Sequence, residues 1–226
     1  ITRPRTKKIY DQREILEVLD TCVSCKACKS ECPSNVDIAR FKAEFLQQHY
    51  DVCGVPMKAF LIARLTEIQR LGSILPWLYN AVVRSQVTGG MLKRMLHFAP
   101  ERAIPTLYKT TLKHWLGRYQ RKNRGETVGK VFLFADEFTN YMDVEIGIKM
   151  IELLDRLGYE VIIPKHVESG RTAISKGMLK VAKRVARKNV LLLKDVVSED
   201  VPLVGIEPSC ILSFRDEYPD LVGDGL

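Results

Sequence analysis

Four of the six cysteines fall within twelve residues, Cys22-Val-Ser-Cys25-Lys-Ala-Cys28-Lys-Ser-Glu-Cys32-Pro33. The C-x₂-C-x₂-C-x₃-C-P spacing is that of the bacterial iron–sulfur binding run. Thiolates three residues apart on a tight loop can converge on neighbouring corners of an iron–sulfur cube, while the loop amides turn inward toward the sulfides. The small residues Ser24, Ala27 and Ser30 permit that close wrapping. Pro33 lacks an amide donor and fixes its own φ, so it is expected to close the loop and start a helix near Ser34. On these grounds Cys22, Cys25, Cys28 and Cys32 are the candidate ligands of a 4Fe-4S cluster.

Other uses of the thiols fit less well. A structural zinc site usually draws on two Cys-x-x-Cys pairs held apart by a dozen or more residues, because each pair comes from its own knuckle. A disulfide framework suits small secreted domains, whereas this chain shows no secretory signal and its other cysteines, Cys53 and Cys210, are isolated. A reducing cytosol fits better. In proteins with two such runs the fourth cysteine of each ligates the other cluster, yet only one run is present. Either all four thiols serve one cluster, or Cys22, Cys25 and Cys28 hold one cluster while Cys32 reaches toward a second whose remaining ligands lie elsewhere. The chain starts at Ile1 without a methionine and stops at Gly223-Asp-Gly-Leu226, and it is expected to be a piece of a longer protein. That expectation favours the crossed assignment. Lys26 and Lys29 are expected either to raise a reduction potential by their charge or to be simple solvated lysines.

The elements that must position the run come next. Ile1 to Lys8 is a basic, extended lead. Asp11 to Leu19, with Ile15, Leu16 and Leu19 on one side, predicts a helix entering the cysteine loop, and Val36 to Tyr50 predicts one leaving it. Cys53 and Gly54 follow. From Val55 to about Leu116 the pattern is helical with interruptions: Phe60, Leu61, Leu65, Ile68 and Leu71 form a stripe, Gly72-Ser73 break it, and Ile74 to Val83 resume it. Trp77, Leu78, Val82, Met91, Leu92, Met95 and Leu96 are expected in the core, with a membrane surface or another domain as the alternative. The basic stretch Arg118 to Gly129, with Arg121, Lys122, Arg124 and Gly125, is expected to be a solvated hinge.

After Val128 the period changes. Lys130–Ala135 predicts a buried parallel strand, Val144–Leu157 a helix, and Glu160–Ile163 a second strand, a βαβ unit. Ile174 to about Asp195 predicts one long basic helix, Pro202–Ile206 a third strand, and Ile211–Glu217 a further helix. The expected fold class is therefore α and α/β. Residues 1–54 form a helical ferredoxin-like module, 55–127 a helical layer with a basic hinge, and 128–226 a small parallel-sheet domain. No phosphate-binding glycine fingerprint follows the first strand, which disfavours a dinucleotide site. Asp136, Glu168-Ser169-Gly170 and Glu207 to Cys210 are expected to meet at the carboxyl ends of the strands.

With 226 residues, 46% of them hydrophobic, the chain can bury one large or two modest cores. Its net charge of +8 is unaccompanied by any nucleic-acid motif, and the basic residues lie in three places rather than one stripe. An acidic partner or an anionic membrane surface is a better use of it. No run approaches the roughly eighteen apolar residues that a transmembrane helix needs.

The Cys22–Pro33 run with Ser34-Asn-Val-Asp37, then Phe138-Thr-Asn-Tyr141, Gly170-Arg171 with Ile174-Ser-Lys-Gly177, and Glu207-Pro-Ser-Cys210 with Arg215-Asp-Glu-Tyr-Pro219, resembles the C-terminal iron–sulfur portion of bacterial FAD-linked oxidases. Such proteins resemble fusions of a flavin 2-hydroxyacid dehydrogenase, of the D-lactate or D-2-hydroxyglutarate type, with an iron–sulfur subunit like that of anaerobic glycerol-3-phosphate dehydrogenase. The resemblance implies an electron relay. The hydroxyacid would be oxidised at FAD on an upstream domain, and electrons would pass through 4Fe-4S clusters to an acceptor such as a quinone at the inner face of the membrane, the protein itself being cytoplasmic. The FAD-containing domain or subunit is the implied partner, and no catalytic residue is implied in this chain. The other class of function is a scaffold whose α/β half binds a partner and whose cysteine loop is only structural. The α/β half further resembles one copy of the cysteine-rich repeat named for its Cys-Cys-Gly motif. Where that repeat carries cluster-ligating thiols, this chain reads Glu168-Ser169-Gly170 and Glu207-Pro208-Ser209-Cys210, so this copy is expected to hold no metal. Cys210, where a strand ends and a helix begins, is expected to be either reactive, with a lowered pKa, or buried and inert.

Overall fold

A computed structural model describes residues 13–122, 125 and 127–223. The lead Ile1–Lys8, the start of the first expected helix at Asp11, Arg124 and the final Asp224-Gly-Leu226 lie outside the described residues. The chain divides into two compact units, each discontinuous in sequence: residues up to Arg64 with Gly170–Lys183, and Leu65–Ser169 with Arg184–Leu226.

The first unit is helical. Helix α1 (Arg13–Asp20) leads into the cysteine run, which itself contains a short helix, α2 (Ala27–Glu31). Helix α3 (Ile38–Cys53) follows. It begins four residues later than Pro33-Ser34 suggests, because the Asp37 carboxylate caps it by accepting from Arg40 N at 3.0 Å and Asn35 sits in the left-handed region at φ 56°. Cys53 is the last residue of α3, and it is exposed. Helix α4 (Met57–Ala63) packs on α10 (Arg171–Ser175). The long helix expected from Ile174 is thus two helices, α10 and α11 (Leu179–Leu193). Gly177, at φ 68°, makes the break, and it lies so close to Leu46 that a Cβ there would overlap that side chain and crowd Ala43 O.

The stripe from Phe60 to Leu71 is likewise divided, since α5 (Leu65–Gly72) starts anew after Arg64. Helices α6 (Pro76–Arg84), α7 (Thr88–Met95) and the short α8 (Leu112–Leu116) follow in the second unit. Residues 97–111 carry no helix.

Strand β1 (Gly129–Phe134) is central in a three-stranded parallel sheet of order β2-β1-β3, with β2 (Tyr159–Ile162) and β3 (Leu203–Gly205) on its flanks. The register pairs Gly129 with Tyr159 and Phe132 with both Ile162 and Leu203. Successive residues of β1 serve opposite faces. Leu133 joins Leu112, Ala135, Val144 and Ile151, the last two from α9 (Val144–Arg156), in the core. Phe134 packs instead against a tilted His166 ring and edge-on against Phe214, with ring centroids at 4.4 and 5.1 Å. Short helices α12 (Pro208–Ile211), α13 (Ser213–Asp216) and α14 (Tyr218–Val222) follow the sheet. The architecture is α and α/β, as the change of period from helical to strand at Val128 indicates.

The stretch expected to be a solvated hinge is anchored. Tyr119 Oη donates to Asp155 at 2.8 Å, Arg121 Nε at 3.2 Å and Lys122 N at 2.7 Å. Asp155 is buried on α9, so a linker left in solvent would leave that carboxylate without these donors. The expected core positions Trp77, Leu78, Val82, Met91 and Met95 are exposed, and of that group only Leu96 is fully buried.

Candidate functional site

Helix α3 holds the cysteine run at two points. Lys42 Nζ donates to Cys22 O at 2.6 Å, and Asp37, besides capping α3, pairs with Lys26 at 3.5 Å with both side chains largely buried. Lys26 is therefore not the solvated lysine it could have been. Ser24 and Lys26, at φ 58° and 62°, adopt left-handed conformations on either side of Cys25. Such positions cost free energy for residues with a Cβ, so two of them flanking one cysteine give a sharply bent and strained backbone. Ser30 Oγ donates to Ala27 O at 2.9 Å, and Cys32 N to Cys28 O at 3.0 Å, closing the single turn of α2.

None of the cysteines is in a disulfide; Cys22, Cys28 and Cys32 are half-buried and Cys25 is exposed. Cys32 is set apart from the other three. The backbone N–H groups of Val36, Ser34 and Asn35 point at its sulfur and hold its pKa below the usual thiol range, with partial desolvation opposing them. Among the described residues no three Cys, His, Asp or Glu side chains stand together as a metal-holding group. By chemistry the donor set nonetheless fits an iron–sulfur cluster: four thiols on one bent loop, one of them already receiving amide donors. Val23, between the first two cysteines, is 83% exposed, so this loop carries an uncovered apolar residue at its tip.

In the second unit, the segments expected to meet at the carboxyl ends of the strands do meet. Asp136 ends β1 and turns the chain: its Oδ1 accepts from Phe138 N and Thr139 N at 2.9 and 3.0 Å, and its Oδ2 from Thr139 Oγ1 at 2.7 Å. Glu137, equally buried, accepts from Ser169 N at 2.8 Å and Ser169 Oγ at 2.7 Å. Burial raises the pKa of both carboxyls, and the hydrogen bonds they accept oppose the shift. Tyr218 Oη donates to Ser169 O at 2.8 Å. Asn189 completes the arrangement by donating to Glu168 O at 2.7 Å and accepting from Val167 N at 2.9 Å. Cys210 is fully buried at this place. Burial first, then the Glu137 and Asp136 carboxylates, push its thiol far up, so it is not the lowered-pKa cysteine that its place at a helix start suggested. The four-residue α12 is too short to offset that burial.

These polar groups occupy one another, and what they do is pin residues 167–169 to the end of the sheet. Glu137, Asn189 and Tyr218 are absent from the sequence-based expectation. One signal was available, since Asn189 falls on the apolar stripe Ala182, Val185, Ala186, Leu193 of an otherwise basic helix, and a polar residue on a core stripe must have buried partners.

An α and α/β chain that carries a four-thiol run can be compared with known proteins on that footing. It is similar to the D-2-hydroxyglutarate dehydrogenases of Pantoea ananatis, at 26% identity over 226 residues covering 95% of this chain and 22% of that protein, and of Escherichia coli, at 24% over 223 residues covering 95% and 22%. The dehydrogenase of Haemophilus influenzae is 28% identical over 222 residues, 93% of this chain and 21% of that protein. These similarities relate the chain to dehydrogenases of 2-hydroxyacids, and the chain spans about a fifth of the length of the curated relatives it matches. No family model and no solved structure matches it.

Proposed function

We propose that this chain is the iron–sulfur electron-transfer part of an FAD-linked 2-hydroxyacid dehydrogenase. The observation that carries the reading is the Cys22–Pro33 run, bent at Ser24 and Lys26 and fastened to α3 through Lys42 and Asp37. Cys22, Cys25 and Cys28 would hold one 4Fe-4S cluster. Cys32, set apart by its amide donors, would serve a second cluster whose other ligands lie outside this chain. When bound, such a cluster supplies one-electron transfer. The chain's own contribution is positional and electrostatic. The amides of Ser34, Asn35 and Val36 lower the cost of a thiolate at Cys32, and the Lys26–Asp37 pair neutralises a lysine beside Cys25, leaving less positive charge at that thiol. Oxidation of the hydroxyacid, D-2-hydroxyglutarate in the named relatives, belongs to an FAD domain upstream of this chain.

Single serine substitutions in the intact protein test the ligand roles, read as iron per chain and as electron paramagnetic resonance of the reduced protein. Cys22→Ser, Cys25→Ser and Cys28→Ser are expected to remove the same signal, and Cys32→Ser a different one. If Cys32→Ser removes the signal that the other three remove and spares the rest, the crossed assignment is wrong. If none of the four lowers iron content, the cysteine loop is structural and the scaffold reading replaces this one.

A further inference from the structure

Helix α6 turns apolar residues to solvent as well as inward, where Val83 is buried. Its solvent face carries Trp77, Leu78, Ala81 and Val82, all exposed, with Trp77 at 68%. Its polar residue Asn80 is turned inward: Nδ2 donates to Leu107 O and Oδ1 accepts from Leu107 N, both at 2.8 Å. A surface helix of a water-soluble domain has the opposite polarity. Helix α7 continues the pattern, with Met91, 68% exposed, and Met95 one turn on. At the turn between the helices Arg84, Val87, Met91, Lys93, Arg94 and Phe98 line an open hollow of about 590 Å³.

The charge of this region has one sign. From Ile68 to Pro100 the sequence holds Arg70, Arg84, Lys93 and Arg94 and no aspartate or glutamate. No ion pair holds Arg84 or Arg94 among the described residues. Large exposed apolar groups, an exposed tryptophan and carboxylate-free cations on one helical hairpin describe an interfacial surface.

We propose that the α6–α7 face docks on an anionic lipid bilayer, with Trp77, Leu78, Val82, Met91 and Met95 at the acyl boundary and Arg84, Lys93 and Arg94 at lipid phosphates. The indole suits that depth because it joins an apolar body to a polar N–H. Arginine and lysine stems lie along apolar surface while their charged heads stay at the phosphate level. A folded protein domain on the same face would bury these cations with no carboxylate of this chain beside them, an arrangement that costs free energy unless the partner supplies every counter-charge. The helices lie on the bilayer rather than cross it: α6 has nine residues and α7 eight, and no helix among the described residues is long and apolar enough to span. This surface does not include the cysteine run, and it stands whether or not the run binds iron.

The test is co-sedimentation of the intact protein with phosphatidylcholine vesicles, with and without phosphatidylglycerol at roughly one lipid in three. Binding is expected with phosphatidylglycerol, little without it, and release near 1 M salt, where the screening length falls to about 3 Å. Arg84→Gln with Arg94→Gln is expected to weaken binding about fivefold per cation removed, and Trp77→Ser with Met91→Ser to weaken it while leaving circular dichroism unchanged. Sedimentation that ignores both pairs, or none at all, overturns the proposal. So does hydroxyl-radical labelling showing the Trp77, Met91 and Met95 side chains already shielded in the vesicle-free protein, which would place another part of the protein on this face.

Discussion

At Cys210, burial and the neighbouring carboxylates of Glu137 and Asp136 act in the same direction, and both oppose a thiolate. The expected outcome is a thiol that iodoacetamide leaves unmodified in the native protein and alkylates once the chain is unfolded. Cys210→Ala in the intact protein is expected to keep its full iron content, and loss of a signal would make the degenerate Cys-Cys-Gly-type site a ligand site after all. His166 gives a pH dependence of opposite origin. Its Nδ1–H donates to Val167 O at 2.7 Å, and its Nε2 is buried with no hydrogen-bond partner. Burial chiefly, and Lys113 next, lower its pKa from 6.5 to about 4. A depressed folded-state pKa stabilises the fold above pH 6.5, and that stabilisation is lost as pH falls through 4, a difference on the order of 3 kcal/mol. Denaturation midpoints measured across that window should fall steeply in the wild type and less steeply in His166→Phe, which keeps a ring against Phe134. The cysteine run and the Asp136–Ser169–Cys210 convergence were legible from residue type and spacing. Glu137, Tyr218 and the state of Cys210 were not, because each depends on which distant groups share its burial.

Helices show where periodicity stops being informative. The apolar stripe from Phe60 to Leu71 reads as continuous, yet Arg64 interrupts it. Across Ile174–Asp195 the stripe survives the break because Gly177 reverses only one φ before the apolar period resumes. That glycine carries a second constraint in its approach to Leu46 and Ala43. Gly177→Ala is expected to destabilise the first unit by about 2–4 kcal/mol, combining left-handed strain with overlap. Urea denaturation followed by helical circular dichroism measures it, and a change below about 0.5 kcal/mol would mean that the backbone relaxes there. Strand β1 and helix α9 were legible within a residue at each end, since an apolar run bounded by Gly129 and Asp136 and a stripe stopped by Gly158 leave little freedom. Helix α6 misleads any core prediction made from apolarity alone, because Trp77, Leu78 and Val82 face out while Asn80 faces in beside the buried Val83.

In the molecule as a whole, one unit carries a bent four-thiol loop held by helix α3, and in the other Glu137, Asn189 and Tyr218 pin residues 167–169 to the end of the sheet. The similarity to D-2-hydroxyglutarate dehydrogenases covers nearly all of this chain and about a fifth of theirs, and it relates the chain to dehydrogenases of 2-hydroxyacids. A relay must accept electrons from the dehydrogenase part and give them up again, whereas a scaffold need do neither. The direct measurement is the anaerobic visible and paramagnetic resonance spectrum of the iron-loaded intact protein, before and after adding D-2-hydroxyglutarate, then dithionite, then an oxidant. The account predicts that iron–sulfur absorbance bleaches and a reduced-cluster signal grows with either reductant, that the oxidant reverses both, and that Cys22→Ser abolishes one signal. Iron–sulfur absorbance that neither reductant changes, in protein that holds its full complement of iron, would contradict it.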